Sequence, residues 1–304
     1  MGFKGKLIAS MEIKCGGHLF HDLYQINAHH VSNISPDKVH HFNIHEGDQD
    51  LKVGSIIGWK YNHDGKVKVT KQLIEAVDDE KKLITWKVLE GDTLELYNSF
   101  AITASFEENW ATWTLVYEKK TEDTPEPITL LSLMIDITRD LESHLHNNNP
   151  LLYQKRNMGL NGKLVVSMEV KCGGHLFHDL YQTSSHHVTN ISSDKVHHFD
   201  IHEGEDLRAG SIIGWKYTHD GKVKVTKQLI EAVDEEKKSI TWKVLEGDTL
   251  ELYNSFTISA SFEDNWATWT FVYEKKTEDT PEPVTLLKLM IDITRDLEGH
   301  LHKI

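Results

Sequence analysis

Cysteine is nearly missing from this 304-residue chain, which has only Cys15 and Cys172. A disulfide framework needs paired cysteines within each domain, so a cross-linked extracellular scaffold is not expected and a cytoplasmic setting is. Long apolar runs are missing too, and no stretch approaches the roughly 20 residues of a membrane-spanning helix. The opening residues, Met-Gly-Phe-Lys-Gly-Lys, lead into strand-like sequence with no apolar signal core. Gly2 suits myristoylation, but Lys6 stands where that motif requires Ser or Thr. Positive charge is in deficit, with 33 Lys and Arg against 47 Asp and Glu and a formal net charge of −14. Such a surface repels phosphate backbones and anionic lipid, so neither nucleic acid nor a membrane surface is an expected partner. The rest of the composition is that of an ordinary globular chain, 39% hydrophobic and 26% charged.

What the chain does contain, it contains twice. CGGHLFHDLYQ occurs at Cys15–Gln25 and at Cys172–Gln182, GSIIGWKY at Gly54–Tyr61 and Gly210–Tyr217, and LEGDTLELYNSF at Leu89–Phe100 and Leu245–Phe256. Roughly five aligned positions in six are identical, and the period is a whole domain rather than a solenoid repeat. The second copy lacks one residue between Gly204 and Leu207, where the first has Asp48-Gln49-Asp50. Met158-Gly159 aligns with Met1-Gly2, as it would in a fused duplication. The expected organisation is a domain over residues 1–146, a polar linker over 147–161 containing Pro150, and a second domain over 162–304.

Within one copy, Leu7, Ala9, Met11 and Ile13 alternate with polar residues as a half-buried strand. Leu19, Phe20, Leu23 and Tyr24 recur at helical spacing, which puts His18, His21 and Asp22 on the wet side of a short helix. A second short helix or turn is expected over 27–35. From Val39 to about Tyr117, six strands are separated by turn signals at Glu46-Gly47-Asp48, His63-Asp64-Gly65, Asp78-Asp79-Glu80 and Glu90-Gly91-Asp92, the pattern of an antiparallel meander. Ile57, Trp59 and Tyr61 share one face, as do Ile84, Trp86 and Val88, and Phe100, Ile102, Ala104 and Phe106. After Pro125 and Pro127, residues 128–146 form an amphipathic helix with Leu130, Leu133, Met134, Ile137, Leu141 and Leu145 as its stripe, opposite Asp136, Arg139, Asp140 and Glu142. Nineteen helical residues span about 28 Å, enough to cross a curved sheet. The class is α+β, and a bent sheet around one long helix tends to leave an interior gap.

These residues resemble the major latex proteins, a branch of the birch-pollen-allergen and pathogenesis-related class 10 superfamily. The matching elements are His45-Glu46-Gly47-Asp48, Val53-Gly54-Ser55, Trp59-Lys60-Tyr61 with Asp64-Gly65-Lys66, Leu89-Glu90-Gly91-Asp92, and Trp113 with Tyr117-Glu118-Lys119, in both copies. The resemblance implies two tandem helix-grip domains of START-like type. Each would have a seven-stranded antiparallel curved sheet, two short helices and a long C-terminal helix. It also implies a hydrophobic cavity for sterols, phenylpropanoids, long-chain acids or similar molecules. One departure is clear: the loop Glu46–Gly54 carries acidic residues where allergen-type relatives are glycine-rich, which argues against phosphate binding there.

Trp59, Trp86 and Phe100 read as ordinary core by periodicity alone, and the implied cavity turns such inward residues into lining. The candidate ligand-binding set is therefore Trp59, Tyr61, Trp86, Phe100, Ile102, Leu133, Met134 and Ile137. Its counterparts in the second copy are Trp215, Tyr217, Trp242, Phe256, Ile258, Leu289, Met290 and Ile293. The 20 histidines, ten per copy, include pairs such as His29-His30 and His40-His41, and His18 and His21 lie three apart. No carboxylate or thiol completes a ligand shell at recognisable spacing, so no metal and no cofactor is expected. His29 and His30 remain candidates for a pH-responsive lid. Lys71 alternates with Val67, Val69 and Leu73, so it and Lys227 either point inward as a catalytic base or reach to the rim. No nucleophile–base motif is visible. The expected function is a carrier for small apolar plant metabolites in defence or stress, one ligand per domain. The alternatives are a cavity enzyme of cyclisation or isomerisation and a receptor-like module with a protein partner.

Overall fold

A computed structural model of the chain describes residues 3–148 and 160–302, which divide into two compact units with the boundary between Leu160 and Asn161. The first unit runs β1 (Lys4–Glu12), α1 (Gly17–Gln25), a 3-10 turn (Ala28–His30), α2 (Val31–Ile34), β2 (Val39–Glu46), β3 (Ile56–His63), β4 (Lys66–Asp78) and β5 (Leu83–Gly91). It continues with α3 (Thr93–Leu96), β6 (Tyr97–Glu107), β7 (Trp110–Lys119) and α4 (Ile128–Asn148). The second unit repeats the order from β8 (Asn161–Glu169), α5 (Gly174–Thr183) and α6 (His186–Ile191) through β9 (Val196–Glu203), β10 (Ile212–His219), β11 (Lys222–Asp234) and β12 (Ser239–Gly247). It closes with α7 (Thr249–Leu252), β13 (Tyr253–Glu263), β14 (Trp266–Lys275) and α8 (Val284–Leu301). The six-strand meander and the long helix are as expected from the pattern. α3, which follows the Leu89–Asp92 motif, was not expected. Of the linker expected over 147–161, residues 147 and 148 belong to α4 and residue 161 to β8, and 149–159 lie outside the described residues.

Each unit is one antiparallel seven-stranded sheet. The strand order is β2-β3-β4-β5-β6-β7-β1 in the first and β9-β10-β11-β12-β13-β14-β8 in the second. β1 closes the row because its nine residues pair in unbroken register with β7, from Lys4 opposite Glu118 to Glu12 opposite Trp110. The β3–β4 hairpin turns on two residues, Asp64 (φ 51°) and Gly65 (φ 71°), both left-handed as a type I′ turn demands. Curvature comes from β4, whose register with β5 shifts between Lys71 and Gln72 and again between Ile74 and Ala76. At the first shift Gly91 has φ 118°, and a Cβ there would lie 2.2 Å from the Val69 carbonyl oxygen. Asp92 then accepts the Val69 N–H through Oδ2 at 2.8 Å. The Leu-Glu-Gly-Asp motif is thus a latch holding two strands together where the sheet bends.

α4 lies against the concave face, and more of it is covered than its apolar stripe suggests. Ile128, Leu130, Leu131, Leu133, Ile135, Ile137, Thr138 and Leu141 are buried, and so is Glu142. The expectation that Glu142 faces solvent is wrong. Its Oε1 accepts the Lys14 N–H at 2.7 Å just past the end of β1, as Glu298 accepts from Lys171. Burial pushes the Glu142 carboxyl above its ordinary value. His21 also departs from its expected place on the wet face of α1, being 4% exposed. α1 is covered on more than one side, because Phe20 and Tyr24 stack on Phe106 (5.6 and 5.7 Å) while the neighbouring His21 comes within 3.9 Å of Asp79 beyond β4. His178 in the second copy is equally buried.

Candidate functional site

Between the concave sheet and α4, sixteen residues line a cavity of about 70 Å³. The sheet contributes Val39, Trp59, Tyr61, Thr70, Gln72, Trp86, Val88, Ile102 and Trp113; α1 and α2 contribute Tyr24 and Val31; α3 contributes Thr93; α4 contributes Leu130, Leu133, Met134 and Ile137. The second unit has a cavity of about 80 Å³ lined by the sixteen aligned positions, every one occupied by the same residue type. Positions that differ between the copies lie elsewhere: Ile26 becomes Thr183, Leu83 becomes Ser239, Ala101 becomes Thr257 and Leu115 becomes Phe271.

Of the eight residues picked out from the first copy, seven are brought together in this lining: Trp59, Tyr61, Trp86, Ile102, Leu133, Met134 and Ile137. Their counterparts Trp215, Tyr217, Trp242, Ile258, Leu289, Met290 and Ile293 behave alike. Phe100 and Phe256 do not line the cavity. Phe100 is 2% exposed and packs with Tyr97 and Tyr117 at 5.1 and 6.2 Å, so it is filled core. Thr70 and Gln72 were missed by sequence reasoning. They stand on the inner face of β4, opposite Trp59 and Ile57 of β3, whereas Val67 and Val69 are exposed on the outside. Alternation was visible in Lys66–Leu73, but hydrophobicity pointed to the wrong face.

This phase also settles the lysines. Lys71 shares the outer face with Val67 and Val69, and its ammonium pairs with Glu90 at 3.3 Å, as Lys227 pairs with Glu246 at 3.6 Å. Neither is a base for the cavity. The inward phase of β4 brings Lys68 opposite Tyr61, and its ammonium donates to His63 Nδ1 at 3.2 Å. With Nδ1 accepting, Nε2 carries the proton and donates to Thr129 Oγ1 at 2.8 Å, and Thr129 donates to Asp64 Oδ2 at 3.2 Å. Because its proton goes to Asp64, Thr129 is not poised as a nucleophile on His63. The chain of bonds instead ties the β3–β4 hairpin to the first turn of α4, and His219, Thr285 and Asp220 repeat it. His29 and His30 are exposed, with ring centroids 4.2 Å apart, and neither lines the cavity. Among the described residues no group of three His, Cys, Asp or Glu is placed to hold a metal.

The lining is rigid on one side. Trp113 Nε1 donates to Thr138 Oγ1 at 2.8 Å inside the core, and Thr138 donates on to the Met134 carbonyl oxygen, which pins the middle of α4 to β7. Ser35 Oγ and Lys38 Nζ both bond Asp140 Oδ2, which pins the segment after α2 to the same helix. The half-buried lining residues are Trp59, whose ring is tilted against Phe42 with centroids 4.5 Å apart, Thr93 and Met134. Tyr61 is nearly closed off, and burial raises its phenol above its ordinary value while a 3.5 Å bond to Thr93 opposes the shift.

Three histidines give the fold a pH dependence. Burial lowers the imidazole of His21, against the attraction of Asp79, and does the same for His63 and His219 against Asp64 and Asp220. Their folded values lie below the unfolded value of about 6.5, so below that pH the unfolded chain binds more protons than the folded one. The stability they contribute is complete above about pH 6.5 and is lost as pH falls from there through the folded values. Glu142 has the opposite sign, since a raised carboxyl regains stability as it protonates at lower pH. Urea midpoints are expected to fall between pH 7 and pH 5.5, and a flat or rising midpoint over that interval would contradict the assignment.

Comparison with known proteins identifies the family. The family model described as pathogenesis-related protein Bet v 1 family matches residues 2–148 and again residues 159–304. MLP-like protein 34 of Arabidopsis thaliana is 36% identical over 98% of this chain and 96% of its own length. MLP-like protein 43 of the same plant is 47% identical over 46% of this chain and 92% of its own. Among solved structures, major latex-like protein 151 of Panax ginseng is 38% identical, covering 47% of this chain and 98% of its own with a TM-score of 0.46.

Proposed function

This chain belongs to the pathogenesis-related Bet v 1 family, and from that premise we propose that each of its two units, residues 1–146 and 162–304, binds one small apolar plant metabolite in the cavity beneath its long helix. The whole chain then serves as a two-site cytoplasmic carrier or buffer for sterol, lipid, phenolic or terpenoid molecules in defence or stress. The observation that carries this reading is the lining: sixteen residues, predominantly apolar or aromatic, identical in both copies. Ligand sites are commonly apolar with a few convergent polar groups and run to roughly 300–1,000 Å³. The free space here is smaller, so a ligand of two or more rings enters as half-buried Met134 and Trp59 give way, and methionine is the adaptable side chain for that. Two equal sites on one chain double its capacity, while affinity rises only for a ligand that reaches both. Displacement of a fluorescent apolar dye is expected to saturate at two sites per chain. Native mass spectrometry of freshly purified protein is expected to show a retained small molecule. If no sterol, lipid, phenolic or terpenoid displaces the dye, the proposal fails.

A further inference from the structure

We infer that the cavity selects uncharged, oxygen-bearing apolar molecules over carboxylates and bare hydrocarbons, and that Thr70 and Thr226 determine this selection. The inference rests on the ligand-binding reading above and names its substrate class. Two observations carry it. None of the sixteen lining residues of either unit is Asp, Glu, Lys, Arg or His. A carboxylate taken into that lining would lose its water with no counter-ion to replace it, the most expensive kind of burial. The inward lysine of β4, Lys68, is not part of the lining, and its ammonium is directed to His63.

The second observation is an unmet hydrogen-bonding group in the wall. Thr70 is 6% exposed, lines the cavity, and its hydroxyl has no hydrogen-bond partner; Thr226 repeats this in the second unit. Trp86 Nε1, in the same wall of the first unit, is also without a partner. Buried hydroxyls are rarely left unpaired, and where they are, a ligand that supplies the missing bond recovers the desolvation already incurred. Gln72, two residues along the same inner face, adds an amide that can donate or accept. A hydroxyl or carbonyl oxygen on an otherwise apolar skeleton satisfies this wall, a hydrocarbon leaves it unpaired, and a carboxylate overloads it.

The test uses the full chain and three probes of one skeleton at pH 7: naphthalene, 2-naphthol and 2-naphthoate, followed by quenching of tryptophan fluorescence. In the parent protein 2-naphthol is expected to bind about tenfold more tightly than naphthalene, about 1.4 kcal/mol, and 2-naphthoate most weakly. In Thr70→Val/Thr226→Val, 2-naphthol and naphthalene are expected to bind alike, while Thr70→Ser/Thr226→Ser keeps the preference. Valine matches threonine in shape and removes an unpaired group, so the first variant is expected to melt no lower than the parent. A naphthol preference that survives the valine variant, or naphthoate binding as tightly as naphthol, overturns the inference and leaves the cavity as a ligand site. If none of the three probes saturates, the ligand-binding reading falls, and this inference with it.

Discussion

Lys119→Met is expected to destabilise the first unit by about 3–5 kcal/mol, the range for breaking a buried ion pair by removing one partner. Lys119, the last residue of β7, is 5% exposed and its ammonium lies 3.2 Å from Glu126 Oε1, itself on a side chain 5% exposed. It also donates to the Glu122 carbonyl oxygen at 3.3 Å, so the one ammonium gathers the connection that leads into α4. Removing it takes away the ammonium that faces the buried Glu126 carboxylate at 3.2 Å. Against a typical total of 5–15 kcal/mol this is a large fraction. Lys275 and Glu282 hold the same connection in the second unit at 3.7 Å and are untouched by the substitution. Thermal unfolding followed by circular dichroism is therefore expected to split, with an early transition from the first unit and a later one near the parent midpoint. Lys119→Met/Glu126→Leu is expected to recover much of the loss, because an apolar pair of similar volume avoids the desolvation that an ion pair suffers. A single unshifted transition in Lys119→Met would show that the pair is of no consequence to the fold.

If each unit holds one ligand as proposed, Ile102→Trp is expected to reduce the stoichiometry from two per chain to one. Ile102 stands opposite Trp86 across β5 and β6, faces the cavity and is 5% exposed. An indole there projects into the free space of about 70 Å³ and leaves no room for a guest. Overpacking costs about 1–3 kcal/mol, less where a void takes up the added volume, so the unit stays folded. Ile258→Trp has the same expected effect in the second unit, and the two together remove binding. Isothermal titration with a dye or any retained ligand reads the stoichiometry directly. Two undiminished sites in the single variant would place the ligand somewhere other than these cavities.

The duplication and the order of elements could be read from the chain alone, because both depend on local pattern. The two-fold recurrence of Cys15–Gln25 and Gly54–Tyr61 marks the copies, and Asp64-Gly65 between alternating segments specifies a hairpin whatever lies around it. The resemblance carried by His45–Asp48 and Leu89–Asp92 led to the right family, although what the second motif does, a latch at the bend of β4, became visible only in space. Which face of β4 looks inward was decided by the tertiary structure. Outside, Val67 and Val69 are the greasier set; inside, Thr70 and Gln72 serve the cavity, and pleating alone assigns no face to solvent. The same holds for His21 and Glu142, polar residues that a helical wheel sends to water but that other elements cover from a second side. Phe100 and Ile102 share a face of one strand, yet one is core and the other lining. That difference is set by where the free space lies between a bent sheet and a straight helix, a property of packing that no periodicity encodes.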